Sequence, residues 1–139
     1  MKKNKIKIAL IILLVMLVVI VIGVKTYNKP HVDVVKTEAK YKLDAQQLIN
    51  SFITDEDKAS KKYVNTIIQV SGEALEISHG TISIKYKNSA STILCNFLPK
   101  EDEKLKTIKK GDKIKVKGIC TGYLLDVVLV ECVLIKESN

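Results

Sequence analysis

The sequence predicts a mainly β domain, a small closed barrel of five strands preceded by one helix, standing behind an N-terminal transmembrane helix. Three observations carry this reading: an uncharged apolar run at residues 8–24, a segment of helical period beginning near Leu43, and alternating apolar residues from Tyr63 to the end. With 139 residues the chain holds one modest domain plus extras, which excludes multidomain enzymes and long repeat arrays.

The run IALIILLVMLVVIVIGV contains no charge, and only Gly23 falls outside the hydrophobic class. At about 1.5 Å per residue it spans roughly 25 Å, a little under a ~30 Å hydrocarbon core, and Lys7 and Lys25 can snorkel across the shortfall. Lys2, Lys3, Lys5 and Lys7 precede it, so the positive-inside rule places the N-terminus in the cytoplasm and the rest of the chain outside it. A cleaved signal peptide is the competing reading, but the run ends Ile22-Gly23-Val24-Lys25 without a small-x-small site. A lipoprotein is unsupported, because the first cysteine is Cys95. The expected organisation is a cytoplasmic and membrane-anchoring segment at 1–25, a tether at 26–42 and a folded domain at 43–139. His31, in the tether beside Pro30, reads as a solvated residue.

The formal charge of +8 suggests nucleic acid until it is resolved by position. From residue 43 onward 14 lysines face 13 acidic residues, and the chain has no arginine, the side chain that reads guanine or phosphate bidentately. A dedicated sequence-specific DNA binder is therefore disfavoured.

Asp44 and Gln47 form a capping-box pattern, followed by an inner helical face of Ala45, Leu48, Ile49, Phe52 and Ala59. Asp55, Glu56 and Asp57 with Lys58, Lys61 and Lys62 read as a solvated face with i,i+4 pairs such as Asp57 and Lys61. After Tyr63 the period becomes two. Ile68, Val70 and Gly72 share one face of a first strand that bends at Gly72; Ser78-His79-Gly80 turns; residues 81–87 put Ile82, Ile84 and Tyr86 on one side and Ser83, Lys85 and Lys87 on the other. Asn88-Ser89 turns again, and a third strand groups Ile93, Cys95 and Phe97 before Pro99. A short helix is expected within 101–108. Strand four sets Lys113, Lys115 and Lys117 outward against Ile114, Val116, Gly118 and Cys120. Thr121-Gly122 opens the last turn, and residues 126–135 are apolar on both faces, as in a strand held between neighbours.

Five strands with a helix between the third and fourth is the connectivity of an OB-fold barrel, and closure removes the exposed edges that such strands would otherwise present. Lys62 and Tyr63, the Val70-x-Gly72 step, Cys95, the Gly111-Asp112 turn, and above all Gly118-x-Cys120-x-Gly122 followed by Asp126-Val127-Val128-Leu129 and Cys132 resemble the tRNA-anticodon-like (tRNA_anti-like) family of small bacterial OB-fold proteins over residues 43–135. The resemblance implies the fold and an exported or membrane-tethered habit. It supplies no catalytic or binding residues, and fold alone is an associational warrant for function.

The cysteines allow two readings in an oxidising compartment: a Cys95 to Cys132 disulfide between strands three and five, or three buried thiols. A Cys120 to Cys132 bridge is doubtful, because a turn at 121–125 sets Cys120 opposite Asp126, leaving Cys132 six residues further along, roughly 20 Å at strand rise. A thioredoxin-type centre lacks Cys-x-x-Cys, and a zinc site lacks ligand spacing. No nucleophile elbow, phosphate loop or metal-ligand pair occurs, so no catalytic residue, cofactor or enzyme activity is expected. An OB barrel binds ligands on the outer face of strands two and three and the adjoining loops. Here those elements offer His79, Ser83, Lys85, Lys87, Asn96 and Tyr123. The expected function is a membrane-anchored, extracytoplasmic module for a protein or envelope component. A nucleic-acid-binding OB domain is the alternative, and a folded spacer without ligand is the third.

Overall fold

A computed structural model describes residues 2–27, 32–87 and 89–135; His31 and Asn88, both read in the sequence, lie outside them. Contacts divide the chain after Val32. The first unit contains α1 (Lys2–Tyr27). Its stretch Ile6–Val24 has a mean hydropathy of 3.2, and its large apolar side chains are 45–65% exposed. A helix apolar on every side is long and apolar enough to cross a membrane.

The second unit is a closed barrel of five strands: β2 (Ile67–Ser78), β3 (Thr81–Lys85), β4 (Ile93–Phe97), β5 (Lys113–Tyr123) and β6 (Val127–Leu134). They follow the order β2-β3-β4-β6-β5, and β5 returns to β2. All pairings are antiparallel except β4 with β6. The long β2 makes closure geometrically feasible. Its N-terminal half pairs with β5 (Ile67 opposite Ile119, Val70 opposite Val116) and its C-terminal half with β3 (Ala74 opposite Ile84, Ser78 opposite Thr81). The irregularity lies within the C-terminal half, at Leu75, where the register jumps from Ala74 to Glu76, and not at Gly72 as the sequence suggests. Gly72 serves a different purpose: a Cβ there would collide with Ile84 Cγ2 and sit 3.1 Å from Ala45 Cβ. It is small because the Ile84 side chain and the first turn of a helix both pack against it.

That helix is α2 (Ala45–Thr54). Its capping box forms as the sequence indicates, with Gln47 N donating to Asp44 Oδ1 at 2.8 Å and Asp44 N donating to Gln47 Oε1 at 3.2 Å. The expected single helix breaks in two at Asp55, whose N–H ends α2 on Ser51 O at 3.2 Å while its carboxylate caps α3 (Glu56–Tyr63) by accepting from Lys58 N at 3.0 Å. One aspartate satisfies orphan groups of both helices, which lets the chain bend where no apolar side chain holds it straight. The buried residues are Ala45, Leu48, Ile49, Phe52, Ala59 and Tyr63. The charged face is exposed, but Asp57 and Lys61 form no ion pair; Lys62 instead lies over the rings of Tyr41 and Tyr63, at 5.3 and 5.0 Å. Between β4 and β5, a 3-10 turn (Pro99–Glu101) and α4 (Asp102–Leu105) bury Leu105 in the core. Glu101 is 3% exposed and accepts from Lys104 Nζ at 2.7 Å and from Leu134 N at 3.1 Å, pinning this connection to the end of β6.

Three expectations need correction. The folded unit begins at Asp33, within the 26–42 segment expected to be a tether. Residues 33–40 run along the outside of the barrel, burying Val34 (2% exposed) against Ile67 and Val133, and β1 (Tyr41–Asp44) then adds to β2 in parallel. Lys117, expected to be solvated, is 9% exposed because this strap covers it; its ammonium donates to the carbonyls of Val35 and Thr37 at 3.1 and 3.0 Å. Finally, β5 does not turn at Thr121-Gly122. It continues to Tyr123 through a bulge, with Cys120 opposite Leu129 and Gly122 (φ 146°) opposite Val128, and the turn falls at residues 124–126. Gly122 occupies backbone space that a bulge requires rather than a hairpin tip.

Candidate ligand face

Alternation on β3 and β4 sorts side chains without ambiguity. Ile82, Ile84, Ile93 and Cys95 have no exposure, so Thr81, Ser83, Lys85, Leu94 and Asn96 are left facing outward. Thr81 and Asn96 are register partners, and Thr81 Oγ1 donates to Asn96 Oδ1 at 2.9 Å. Ser83 lies between Leu94 on β4 and Glu76 on β2. Lys85 sits opposite Glu73, with 3.7 Å between ammonium and carboxylate. The face is therefore mainly polar and nearly balanced in charge.

The structure brings three of the six candidate residues together: Ser83, Lys85 and Asn96. His79 lies beyond the far end of the face, on the β2–β3 turn, where it lines a cavity of about 640 Å³ with Phe97, Pro99 and Asp102. Lys87 follows β3 in a left-handed conformation (φ 41°), its ammonium 5.3 Å from the Tyr86 ring centre. Tyr123 is elsewhere. Its ring stacks on Phe52 at 5.5 Å and 23°, and its hydroxyl lies 3.2 Å from Ser91 Oγ, so it joins helix to barrel instead of offering a platform to a ligand. Asp126 acts as a turn residue, accepting from Thr92 N at 2.6 Å and Thr92 Oγ1 at 2.9 Å.

Sequence reading missed Thr81, Leu94 and the two glutamates of β2, although the same alternation could have found them. It also missed Leu124 and Leu125, 86% and 78% exposed at the β5–β6 turn, where two leucines between Gly122 and Asp126 were the available signal. A groove of about 850 Å³ between the middle of β2, the start of β5, the end of β6 and the α4 connection is lined by Glu73, Lys104, Ile108, Lys113 and Leu134; residues so distant in sequence carried no common signal.

Cys95, Cys120 and Cys132 are all buried and unbonded. A hydrogen bond with the Cys132 thiol, followed by burial, holds the Cys95 thiol well above its ordinary pKa. Burial pushes Cys120 up to about 11, against a smaller opposing effect from a backbone hydrogen bond at Gly122. Among the described residues, no three His, Cys, Asp or Glu side chains gather into a group that could hold a metal.

The sequence profile of tRNA_anti-like matches residues 1–134. The chain belongs to the tRNA_anti-like family. No curated protein matches the sequence significantly. Among solved structures, a Klebsiella pneumoniae protein described as a candidate nucleic acid-binding lipoprotein is 14% identical with a TM-score of 0.60, over 68% of this chain and 91% of that one. The Schizosaccharomyces pombe Stn1-Ten1 complex matches at 12% identity and TM-score 0.42, over 75% and 83%. These likenesses concern the fold, and the first agrees with the barrel described above.

Proposed function

We propose that this tRNA_anti-like protein is a single-pass, membrane-anchored binding module, with its N-terminus in the cytoplasm and its barrel outside, that receives a protein or another envelope component on the outer face of β3 and β4. The observation that supports it most is the composition of that face. Lys85 is matched by Glu73, Glu76 borders Ser83, and the one aromatic among the candidate residues, Tyr123, is committed to Phe52. Sequence-tolerant binding of single strands rests on stacking aromatics and a cationic groove, and a face of paired hydroxyl, amide and carboxylate groups fits a polypeptide better. This reading involves no catalytic step.

A nucleic-acid ligand is the second reading, favoured by the description of the Klebsiella pneumoniae structure. One experiment separates them. A photo-crosslinking residue at Ser83 or Asn96 of the full-length protein in cells is expected to capture a discrete protein. Purified full-length protein is expected to show little single-stranded DNA binding at either of two salt concentrations. Micromolar DNA affinity that falls steeply with salt, through counterion release, would overturn the proposal. For topology, Ala90→Cys adds an exposed thiol where the native three are buried. A membrane-impermeant maleimide should label it in intact cells; labelling only after lysis places the domain inside.

A further inference from the structure

We propose that Cys95 and Cys132 are a disulfide-forming pair, closed while the barrel assembles, that ties β4 to β6 along the parallel seam of the five-stranded barrel. The pair stands 37 residues apart in sequence, and the register explains how it meets. Cys95 lies opposite Leu129, and Phe97 opposite Cys132, with an irregularity between the two steps. On the β6 side of that irregularity Glu131 adopts φ 53°, in the left-handed region. The extra residue returns Cys132 to the barrel interior, on the side Cys95 already occupies, and both have no exposure. Their thiols are close enough to hydrogen-bond to each other.

Cys132 sulfur also explains Gly118: a Cβ there would lie 2.6 Å from Sγ, so the neighbouring strand leaves room for this sulfur and for nothing further. Cys120 stands apart, opposite Leu129 on β5, with its hydrogen bond to the backbone of Gly122.

The chemistry follows from burial. Bond formation removes two electrons and two protons from the two thiols. The acceptor is the disulfide of a thiol–disulfide oxidoreductase or of oxidised glutathione. One thiolate attacks it to give a mixed disulfide, the second displaces the carrier thiol, and the carrier leaves reduced. In the finished barrel no carrier can reach either sulfur, and both thiols are enclosed away from the water that would favour their ionisation. The exchange therefore belongs to the stage before β6, the last strand, docks. Its occurrence in cells rests on the extracytoplasmic reading proposed above, because a reducing cytoplasm would keep the thiols free.

Full-length protein in detergent is unfolded, refolded with and without a glutathione redox couple, then denatured, alkylated and mapped by mass spectrometry. After alkylation the oxidised sample should carry one alkyl group, on Cys120, against three on the reduced sample, and should yield a Cys95–Cys132 linked peptide. Closing this loop should raise the melting temperature by roughly 10 °C. Cys132→Ser should melt at one temperature under both conditions, and Cys120→Ser should keep the redox difference. Three alkylated thiols after oxidative refolding, or a link through Cys120, overturns the pair. The same mapping is then applied to protein trapped with acid from intact cells carrying Ala90→Cys. Free Cys95 and Cys132 in a protein labelled from outside also overturns it. Free thiols in a protein that is not labelled from outside, but links on refolding, overturn the topology and uphold the pair.

Discussion

On the flank formed by β5 and the start of β2, the chain covers its own barrel: the strap buries Val34 and converts Lys117 from a surface cation into a donor for two carbonyls. On β3 and β4, the same alternation leaves Thr81 bonded to Asn96 on the outer face and Ser83 beside Leu94, with no strap residue against them among the described contacts. Both regions are outer faces of one sheet with similar side chains. The difference teaches that strand pattern decides which side chains point outward, while long-range cover decides which of those outward positions remain available to a partner.

The largest effect that tests this contrast is expected at Lys117. Lys117→Ala leaves the Val35 and Thr37 carbonyls without their donor and should cost about 1–3 kcal/mol in urea unfolding. If it costs no more than Ser83→Ala, the covered flank is not distinct from the open one. A similar loss is expected from inside the same strand. Gly118→Ala forces a methyl against Cys132 Sγ at 2.6 Å and Val130 O at 3.1 Å, overpacking that typically costs about 1–3 kcal/mol. The third effect is a slope. The Cys120 thiol ionises at about 11 when folded, against an ordinary value of 9.0, so it contributes stability that is intact below pH 9 and is lost as pH rises towards 11. Cys120→Ala should flatten the fall in urea midpoint over that window; an unchanged slope would show that other groups govern it. The smallest effect is expected on the open face, where Ser83→Ala and Asn96→Ala should each stay within about 0.5 kcal/mol of the parent while weakening crosslinking to the partner.

The barrel was legible because its strands obey period two over several residues: Ile82 and Ile84, Ile93 with Cys95 and Phe97, Ile114 and Val116 all land in the core. The capping box at Asp44 and Gln47 was legible for a comparable reason, since both partners lie within one turn. What escaped depended on contacts distant in sequence. Val34 belongs to the short run Val32-Asp33-Val34-Val35, too brief to carry a period that would mark one valine for burial, and Lys117 follows a strand pattern that a covering segment then overrides. Gly122 carries the composition of a turn but is used for a bulge. Asp55, inside an acidic run, looked like part of a solvated face and is instead shared between two helix ends. Of the ligand face, Ser83, Lys85 and Asn96 could be read from alternation. The withdrawal of Tyr123 could not, because its stack on Phe52 joins residues 71 positions apart.

The strap has a mechanical side as well. A load applied to the N-terminal end of the folded unit first meets Val34 and the two carbonyls gripped by Lys117, and then β1, whose four residues run parallel to β2 from Tyr41 opposite Ile68 to Asp44 opposite Ser71. These contacts lie in series ahead of every barrel seam. Strain entering from that end is absorbed by a short sacrificial segment, and the β3–β4 face keeps its shape until that segment has given way.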